Sequence, residues 1–424
     1  MENAMSKDLN KLIEEKSIEK TTLTKRLTIE GKTNDYPVYK FPLEYLYYND
    51  QNGRINTVYH QYISNHGKLT PEIGNSKYNA IFEQFIFESK KKALKETQIS
   101  IKERGQQEPG VVLSDGRVID GNRRFTALRR IQKDTNIKQY FEAAILSFDI
   151  HNKIDEKKIK ELELDLQLGR EERVSYDPID RIFDVYNTIE IQKLMTREEY
   201  KKASGAGNTI GINRDIRLAK LIKDFLKIVS PGGKPEDKFY IARELNLDGP
   251  IESIEPQLSK LERKKDKKQK AIKMNVLTIL AVQIAKSEIG DRDITRKIRD
   301  VKDNILNNPE IKKYFTEATD EHVDRIIEFF ETNPIEQASD LKDNFNKNPE
   351  IAEVASSLLQ TTNRLSNKGE AAADRRQSLV KLQEIFDILE AMTHDDLKVL
   401  HENEYFEAKE ILQEIRDLTY KLSR

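Results

Sequence analysis

The sequence predicts an α+β protein in which a mixed N-terminal domain is followed by a mainly helical remainder. Short apolar runs bounded by Gly, Pro and Asn turns, the pattern of strands, occur before residue 150. Beyond it, apolar residues recur at spacings of three and four, the pattern of amphipathic helices. A chain of 424 residues is too long for one compact core, so we expect two or three domains.

Changes in composition divide the chain into five segments. An N-terminal helix and extension precede the mixed domain, which is followed by a helix-turn-helix region, a basic helical segment and a C-terminal helical domain. The clearest linker is the Gly- and Pro-rich stretch at 230–235, since such residues punctuate a chain. The five segments are residues 1–35, 36–150, 151–230, 231–290 and 291–424.

Charge and composition bound the class of protein. The 72 basic residues almost balance the 73 acidic ones, so the net charge of −1 points to no partner. The absence of cysteine excludes disulfides and thiolate metal sites and favours a cytoplasmic location. The six histidines have no metal-ligand spacing. No apolar run approaches the roughly 20 residues that span a bilayer, so we expect no membrane partner.

The elements of the mixed domain follow from local patterns. Residues 1–35 predict a charged helix and then a Thr- and Lys-rich connection. Residues 36–42 predict a short strand, after which an Asn-Gly pair predicts a turn. Apolar residues at helical spacing predict one helix over 80–101, and residues 141–148 predict a further strand.

The most informative stretch is Val111–Arg130. Two apolar runs flank Asp-Gly at Gly116, which predicts a tight hairpin. The second run ends at Gly121, where a helix begins with Arg123 and Arg124 in its first turn. Free backbone N–H groups, the helix dipole, a glycine and two guanidinium groups together predict a phosphate site. The alternative is a solvated helix face, which is the commoner case for a bare Gly-x-Arg-Arg.

The wider context resembles a known family. A polar turn with Asn and Arg, a helix, a hairpin and then Gly-x-Arg-Arg-x-x-Ala entering a helix resembles the N-terminal domain of the ParB family, which shares its fold with sulfiredoxin. In that family the box is acidic-Arg-Arg and holds a nucleoside triphosphate, typically CTP, whereas Asn122 stands here at the acidic position. The matching residues are Gly105, Pro109, Val111, Val112, Gly121, Arg123, Arg124 and Ala127.

The resemblance implies a nucleoside triphosphate, CTP or ATP, bound with Mg²⁺. It also extends downstream, where Asp165-Leu166-Gln167 and then Asp177-Pro178 are similar to an acidic-Asn-x-Gln-Arg segment and to the Asn-Pro that opens the next helix. Asp177 is also a natural N-cap and Pro178 a natural first helical residue. The implied nucleotide-binding residues are Arg54, Gly121, Asn122, Arg123, Arg124, Thr126, Ala127 and Gln167.

Acidic residues around this box are the candidates for chemistry. Asp165 is the candidate metal ligand that the resemblance implies. Asp120 and Glu108 flank the predicted phosphate site and could serve as a base or as Mg²⁺ ligands. For the residues of the downstream segment, a surface helix end with solvated charges is an equally frequent reading.

A helix-turn-helix is predicted next. Thr196 and Glu199 form a capping box, and after a glycine-rich turn a second helix covers 210–228. A recognition helix presents its first residues to the major groove, while lysines contact the backbone. An ordinary helical hairpin is the alternative. The candidate DNA contacts are Asn213, Arg214, Arg217, Lys201 and Lys202.

The last two segments are charged and helical. The stretch Leu261–Lys273 could neutralise several phosphates, although a solvated helix face is the commoner case for a lysine run. Residues 366–369 predict a loop, and residues 374–424 predict two amphipathic helices. Such a helical pair either dimerises or closes its own bundle.

These observations predict a ParB-like DNA-binding protein in which a nucleotide switches DNA binding or clamp formation. The expected setting is plasmid or phage DNA partition, with a homodimer, a partition ATPase partner and association with the nucleoid or plasmid in the cytoplasm. Slow hydrolysis of the nucleotide is a further expectation. Two alternatives stay open: a nuclease or phosphotransferase of the same fold, in phage defence, and an interaction module that needs no nucleotide.

Overall fold

A six-stranded mixed sheet organises the N-terminal half of the chain. The computed structural model describes residues 9–53, 55–168, 177–262, 267–287 and 293–423. The strands lie in the order β1-β2-β6-β4-β5-β3. They are β1 Glu19–Ile29, β2 Lys32–Pro42, β3 Tyr47–Tyr48, β4 Gly110–Leu113, β5 Arg117–Asp120 and β6 Tyr140–Leu146.

Five α-helices accompany these strands in the first 150 residues of the described chain. Four of them and one 3-10 turn come before β4, and the fifth links β5 to β6. The predicted single helix over 80–101 is wrong, because the backbone breaks at Lys90 into two helices. The helices are α1 Leu9–Glu14, α2 Asn56–His66, α3 Ser76–Ser89, α4 Lys91–Arg104 and α5 Asn122–Thr135, with the 3-10 turn at Leu43–Tyr45.

The pairing of the strands decides where their loops meet. β4 and β5 form the antiparallel hairpin that the sequence predicts, and Gly116 takes φ 91° in its turn. A side chain at Gly116 would meet the carbonyl oxygen of Tyr45 at 2.5 Å, so the position needs glycine for space as well as for backbone conformation. β3 pairs with β5 in parallel. The segments that follow β3 and β5 therefore leave the sheet at the same end.

The predicted N-terminal extension is wrong for residues 19–35. They form β1 and the start of β2, joined by a turn in which Glu30 and Gly31 both have positive φ. β1 is an edge strand, and only Lys25 and Leu27 along it are buried. A strand that faces solvent along most of its length needs no alternating apolar residues. The Thr- and Lys-rich sequence of β1 therefore did not predict a strand.

The rest of the described chain is helical. Two π-helical turns, Asn187–Ile191 and Val301–Leu306, and one 3-10 turn, Pro235–Lys238, interrupt the α-helices. The α-helices are α6 Lys153–Leu168, α7 Pro178–Tyr186, α8 Arg197–Ser204, α9 Ile210–Val229, α10 Phe239–Glu244, α11 Asp248–Glu262, α12 Lys267–Ala285, α13 Asp293–Asp300, α14 Pro309–Thr332, α15 Ala338–Lys347, α16 Pro349–Ala391, α17 His394–Lys398 and α18 Glu402–Leu422.

One hydrophobic core joins the helices from the end of α6 to the first half of α16. Its buried residues run from Leu164 to Leu365, so the predicted divisions at 230 and 290 do not separate cores. Hydrogen bonds attach the predicted linker to the helices of this core. The Ser230 hydroxyl donates to the carbonyl oxygen of Ile335, and Lys238 donates to the carbonyl oxygen of Ser230 at 3.0 Å. α12 is buried on every side from Asn275 to Ala285, as expected of a helix that is apolar all round.

α16 runs straight through the predicted loop at 366–369. Gly369 lies against the backbone carbonyl of Asn304, and the side-chain amide of Asn304 donates to Ser366 Oγ at 3.0 Å. The glycine thus allows a close approach between two helical segments instead of ending one. Gly369 is also the last buried residue that the structure describes in α16. No helix in the described ranges is long and apolar enough to cross a membrane.

Candidate functional site

The site is built around the start of α5. Gly121 is its N-cap in the left-handed conformation, φ 92° and ψ 17°, and among the described residues no side chain caps this helix end. The backbone N–H groups of the first turn therefore keep their hydrogen-bonding capacity at the positive end of the dipole. A Cβ at Gly121 would lie 2.8 Å from the ring of Phe141, so only glycine fits. This geometry suits an anion.

Arg124 is built into the fold next to that helix end. Its guanidinium contacts Asp120 Oδ2 at 3.1 Å and donates to the backbone carbonyl of Glu108 at 2.6 Å, with the Glu108 carboxylate at 3.8 Å. Lys25, only 5% exposed, contacts the same Asp120 oxygen at 3.2 Å. Asp120 and Glu108 thus serve as counter-ions of Arg124, and their catalytic roles stay predictions. Arg123, the other arginine of the box, is half-buried.

The remaining residues of the box divide between the core and the helix end. Thr126 and Ala127 are buried, and Thr126 Oγ1 lies 2.8 Å from the Tyr48 hydroxyl. Both residues therefore belong to the side of α5 that packs on the core. Asn122 is different. Its Oδ1 atom is buried and has no hydrogen-bond partner within the described ranges. An orphaned acceptor costs roughly 1–3 kcal/mol, and such atoms are typical of sites that receive another group.

The polar turn after β3 leaves the sheet at the same end as Gly121. Buried Arg117 anchors its start by pairing with Asp50 and by donating to Asn49 Oδ1 at 3.4 Å. Gly53 follows, with its backbone against Asp184 of α7. Arg54, a predicted nucleotide contact, lies outside the described residues.

Buried charges join this turn to the helical half. Asp184 accepts hydrogen bonds from Lys160 of α6 at 2.6 Å and from the Tyr200 hydroxyl of α8 at 3.1 Å. Glu163 lies 3.5 Å from the same lysine. This cluster was not predicted from the sequence. Its only local signal is an acidic residue within the apolar run of α7, and that signal does not identify the partner.

A second buried acid lies one turn earlier on α7. Asp180 is 1% exposed, accepts a hydrogen bond from Thr57 of α2 and has Arg243 of α10 at 3.6 Å. Burial raises the pKa of Asp180 to about 7, although Arg243 and Thr57 oppose the shift. Asp177, the predicted N-cap, accepts from the backbone N–H of Ile179 at 2.9 Å and so begins the helix as expected.

The predicted downstream ligands are not brought to the site by any described contact. Asp165 has an exposed side chain on α6. The side chain of Gln167 lies outside the described part of the chain. Within that part, no group of three acidic or histidine side chains could hold a metal ion. The role of Asp165 with Mg²⁺ stays a prediction.

The helix-turn-helix region has the predicted helices, but α9 uses most of its surface for packing. The capping box of Thr196 and Glu199 is present. Arg214 donates to Glu252 of α11 at 2.7 Å, and Arg217 pairs with Glu255, which is 5% exposed. Both of these predicted DNA contacts on α9 therefore already have acidic partners.

The other candidates for DNA contact are more open. Lys202 is exposed and Asn213 is half-buried near the start of α9, while Lys201 pairs with Glu198. In the basic stretch, lysines 267, 268 and 270 are exposed at the start of α12, whereas Lys273 is half-buried and pairs with Asp224 at 2.6 Å. Comparison with protein-family models, with curated proteins and with solved structures finds no match to this chain.

Proposed function

We propose that this chain binds a nucleoside triphosphate with its phosphates at the start of α5 and uses that ligand to control DNA binding. The observation that carries the proposal is the uncapped helix end behind Gly121. Backbone N–H groups, a left-handed glycine and the two arginines at 123 and 124 supply there what phosphate oxygens require. The resemblance to the ParB family supports CTP or ATP with Mg²⁺ as the ligand.

The two arginines have different parts in this proposal. Arg124 holds Asp120 and the backbone at Glu108, so its loss would disturb the domain itself. Arg123 is half-buried in the first turn of α5, where a guanidinium can reach a group bound at the helix end. Arg123 is therefore the residue we assign to the phosphates, and the orphaned Oδ1 of Asn122 is a ready acceptor for a donor on the ligand.

The route to the DNA-binding helices passes through Asp184. The polar turn shares one end of the sheet with Gly121, and its Gly53 rests on Asp184. Asp184 in turn bonds Tyr200 of α8, the first helix of the helix-turn-helix pair. A ligand that moves the turn would shift this carboxylate and the helix attached to it, provided that it binds one arrangement better than the other. Lys202 and Asn213 are the exposed or half-buried residues that we assign to DNA.

Calorimetric titration with CTP, ATP and GTP in the presence of Mg²⁺ tests the nucleotide site. The wild type is expected to bind one of the three, and Arg123→Ala is expected to bind at least tenfold more weakly, the equivalent of about 1.4 kcal/mol. Lys133→Ala is the matched control, because Lys133 is exposed at the far end of the same helix. Equal binding by Arg123→Ala and Lys133→Ala, or no binding by the wild type, would reject the site.

A further inference from the structure

A shallow groove of about 810 Å³ lies between the start of α14 and the middle of α16. Its α16 wall is polar, and the residues of that wall recur every three to four positions, so they share one side of the helix. All of these polar side chains are exposed to solvent. They are Gln360, Asn363, Arg364, Asn367, Lys368 and Arg375.

The charge of this α14–α16 groove is positive. Arg364, Lys368 and Arg375 line it, and Glu310 is the one acid among the lining residues. Within the described ranges neither Arg364 nor Lys368 forms an ion pair with an acid, whereas Arg214 of α9 is held by a glutamate. Cations that are not neutralised by the chain itself attract a polyanion.

The start of α12 adds further positive charge beside the groove. Lys268 Nζ donates to the backbone carbonyl of Lys313 at 3.4 Å, so the first turns of α12 and α14 lie side by side. Lysines 267 and 270 are exposed on the same turn of α12. A lysine run alone is most often a solvated helix face. Here it lies next to cations from two other segments of the chain.

An exposed aromatic ring borders the groove. Tyr314 follows Glu310 by one helical turn, is 54% exposed and has the ammonium group of Lys313 at 5.7 Å from its ring centre. In residues 293–378, all of which the structure describes, it is the only large hydrophobic side chain that is exposed. A basic groove with an exposed ring is typical of sites for single-stranded nucleic acid, whose bases stack on the ring. A membrane surface requires a broader apolar face.

The uncharged groups of the groove favour RNA. The amides of its α16 wall and the carboxylate of Glu310 offer acceptors, whereas phosphate oxygens need donors. Acceptors fit a ligand that brings donors of its own, and the ribose 2′-hydroxyl brings one in every nucleotide. We propose that the α14–α16 groove binds single-stranded RNA, with phosphates at Arg364 and Lys368 and a base on Tyr314. The proposal does not depend on the nucleotide site or on duplex binding by α8 and α9.

Fluorescence anisotropy of a labelled uridine oligonucleotide of about 15 nucleotides tests the groove. The wild type is expected to bind it, and Arg364→Glu/Lys368→Glu is expected to bind at least about tenfold more weakly. That variant should melt like the wild type, because both side chains are exposed. Lys92→Glu/Lys95→Glu changes the net charge equally at two exposed lysines of α4 and should bind like the wild type. No binding by the wild type, or equal losses in the two variants, would overturn the proposal.

Two substitutions at Tyr314 separate stacking from charge. Tyr314→Ala is expected to bind the oligonucleotide at least about fivefold more weakly, because a stacked base loses its ring, while Tyr314→Phe should bind like the wild type. Binding by Tyr314→Ala that equals the wild type would overturn the assignment of a base to this residue.

The deoxyuridine form of the same oligonucleotide tests the choice of RNA, because the two differ only in the 2′-hydroxyl. The ribose form is expected to bind at least about fivefold more tightly. Equal affinities would overturn the assignment to RNA. Lys202→Ala, which is expected to weaken binding to duplex DNA, should leave the affinity for the uridine oligonucleotide unchanged. A loss of uridine binding in Lys202→Ala would place the RNA on α8 and overturn the groove.

Discussion

A Cβ atom placed on Gly53 would lie 2.6 Å from Oδ1 of Asp184, so the backbone of the turn after β3 rests directly on a carboxylate of α7. That carboxylate cannot easily move away, because Lys160 and Tyr200 both bond it in a buried place. The turn after β3 is therefore in direct contact with α7, with no space between them for an added methyl group. In the proposed switch, this contact is one through which a change near Gly121 would reach α8.

Gly53→Ala is expected to destabilise the chain by about 1–3 kcal/mol, since a methyl group must displace a buried and bonded carboxylate. Chemical unfolding followed by circular dichroism measures the loss. The control is Gly207→Ala, at a glycine with no atom within 4 Å of an added Cβ. Equal stability of the two variants would show that Asp184 yields without cost.

Lys160→Met is expected to cost about 3–5 kcal/mol, because it leaves the buried carboxylate of Asp184 without its cation. Methionine keeps the length of the stem, so the loss reports on charge more than on packing. Lys40→Ala breaks a partly exposed pair with Glu19 and should cost less than about 1 kcal/mol. If Lys160→Met also lowered the free energy of unfolding by less than about 1 kcal/mol, other groups would have to compensate the charge of Asp184.

Asp180 is expected to make stability depend on pH. Its folded pKa of about 7 is above the ordinary value of about 3.9, so the folded state holds a proton that the unfolded state releases. This contribution is present below about pH 4 and is lost as the pH rises to 7. Between pH 4 and pH 8, Asp180→Asn should therefore gain up to about 4 kcal/mol relative to wild type.

The comparison is made by unfolding both proteins across that range of pH. Asp165→Asn, at an exposed acid on α6, is the control and should follow the wild type. If the free energies of unfolding of Asp180→Asn and wild type depend on pH in the same way, the pKa of Asp180 is not raised. Its carboxyl group is then ionised in the folded state and accepts the hydrogen bond from Thr57 as a carboxylate.

Arg217 and Lys202 are expected to separate stability from DNA binding. Arg217→Ala leaves Glu255 buried with Ser259 as its described partner and should lower the free energy of unfolding by about 2 kcal/mol. Adding Glu255→Gln should recover part of that loss. Lys202→Ala should leave stability unchanged and weaken binding to a DNA duplex, with a smaller dependence on salt. Weaker DNA binding by Arg217→Ala at unchanged stability would instead assign the arginine to DNA.

Local rules account for the elements that the sequence predicted. Gly116 and Gly121 both have positive φ, and Thr196 forms a capping box with Glu199 three positions later, so the hairpin and the starts of α5 and α8 follow from short stretches. β1 was missed because an edge strand has little buried surface. The glycine at 369 suggested a loop, although it serves a close approach to Asn304.

The site was predicted only in part for a different reason. The helix end at Gly121 is encoded by consecutive residues and could be predicted. The pairs Lys160–Asp184 and Thr57–Asp180 join residues 24 and 123 positions apart, and no local pattern reports such a meeting. Asp120 also pairs with Lys25 in addition to Arg124, and Lys25 lies on β1, which the sequence did not reveal.

The most direct test of nucleotide control is a linkage measurement on the wild type. The affinity for a DNA duplex is measured with and without the nucleotide that binds best, and the affinity for that nucleotide with and without the duplex. The two ratios are expected to be equal and to lie in the range of about 5–150-fold, because coupling between two sites is reciprocal. The coupling should disappear in Arg123→Ala. A DNA affinity that the bound nucleotide leaves unchanged would contradict the switch.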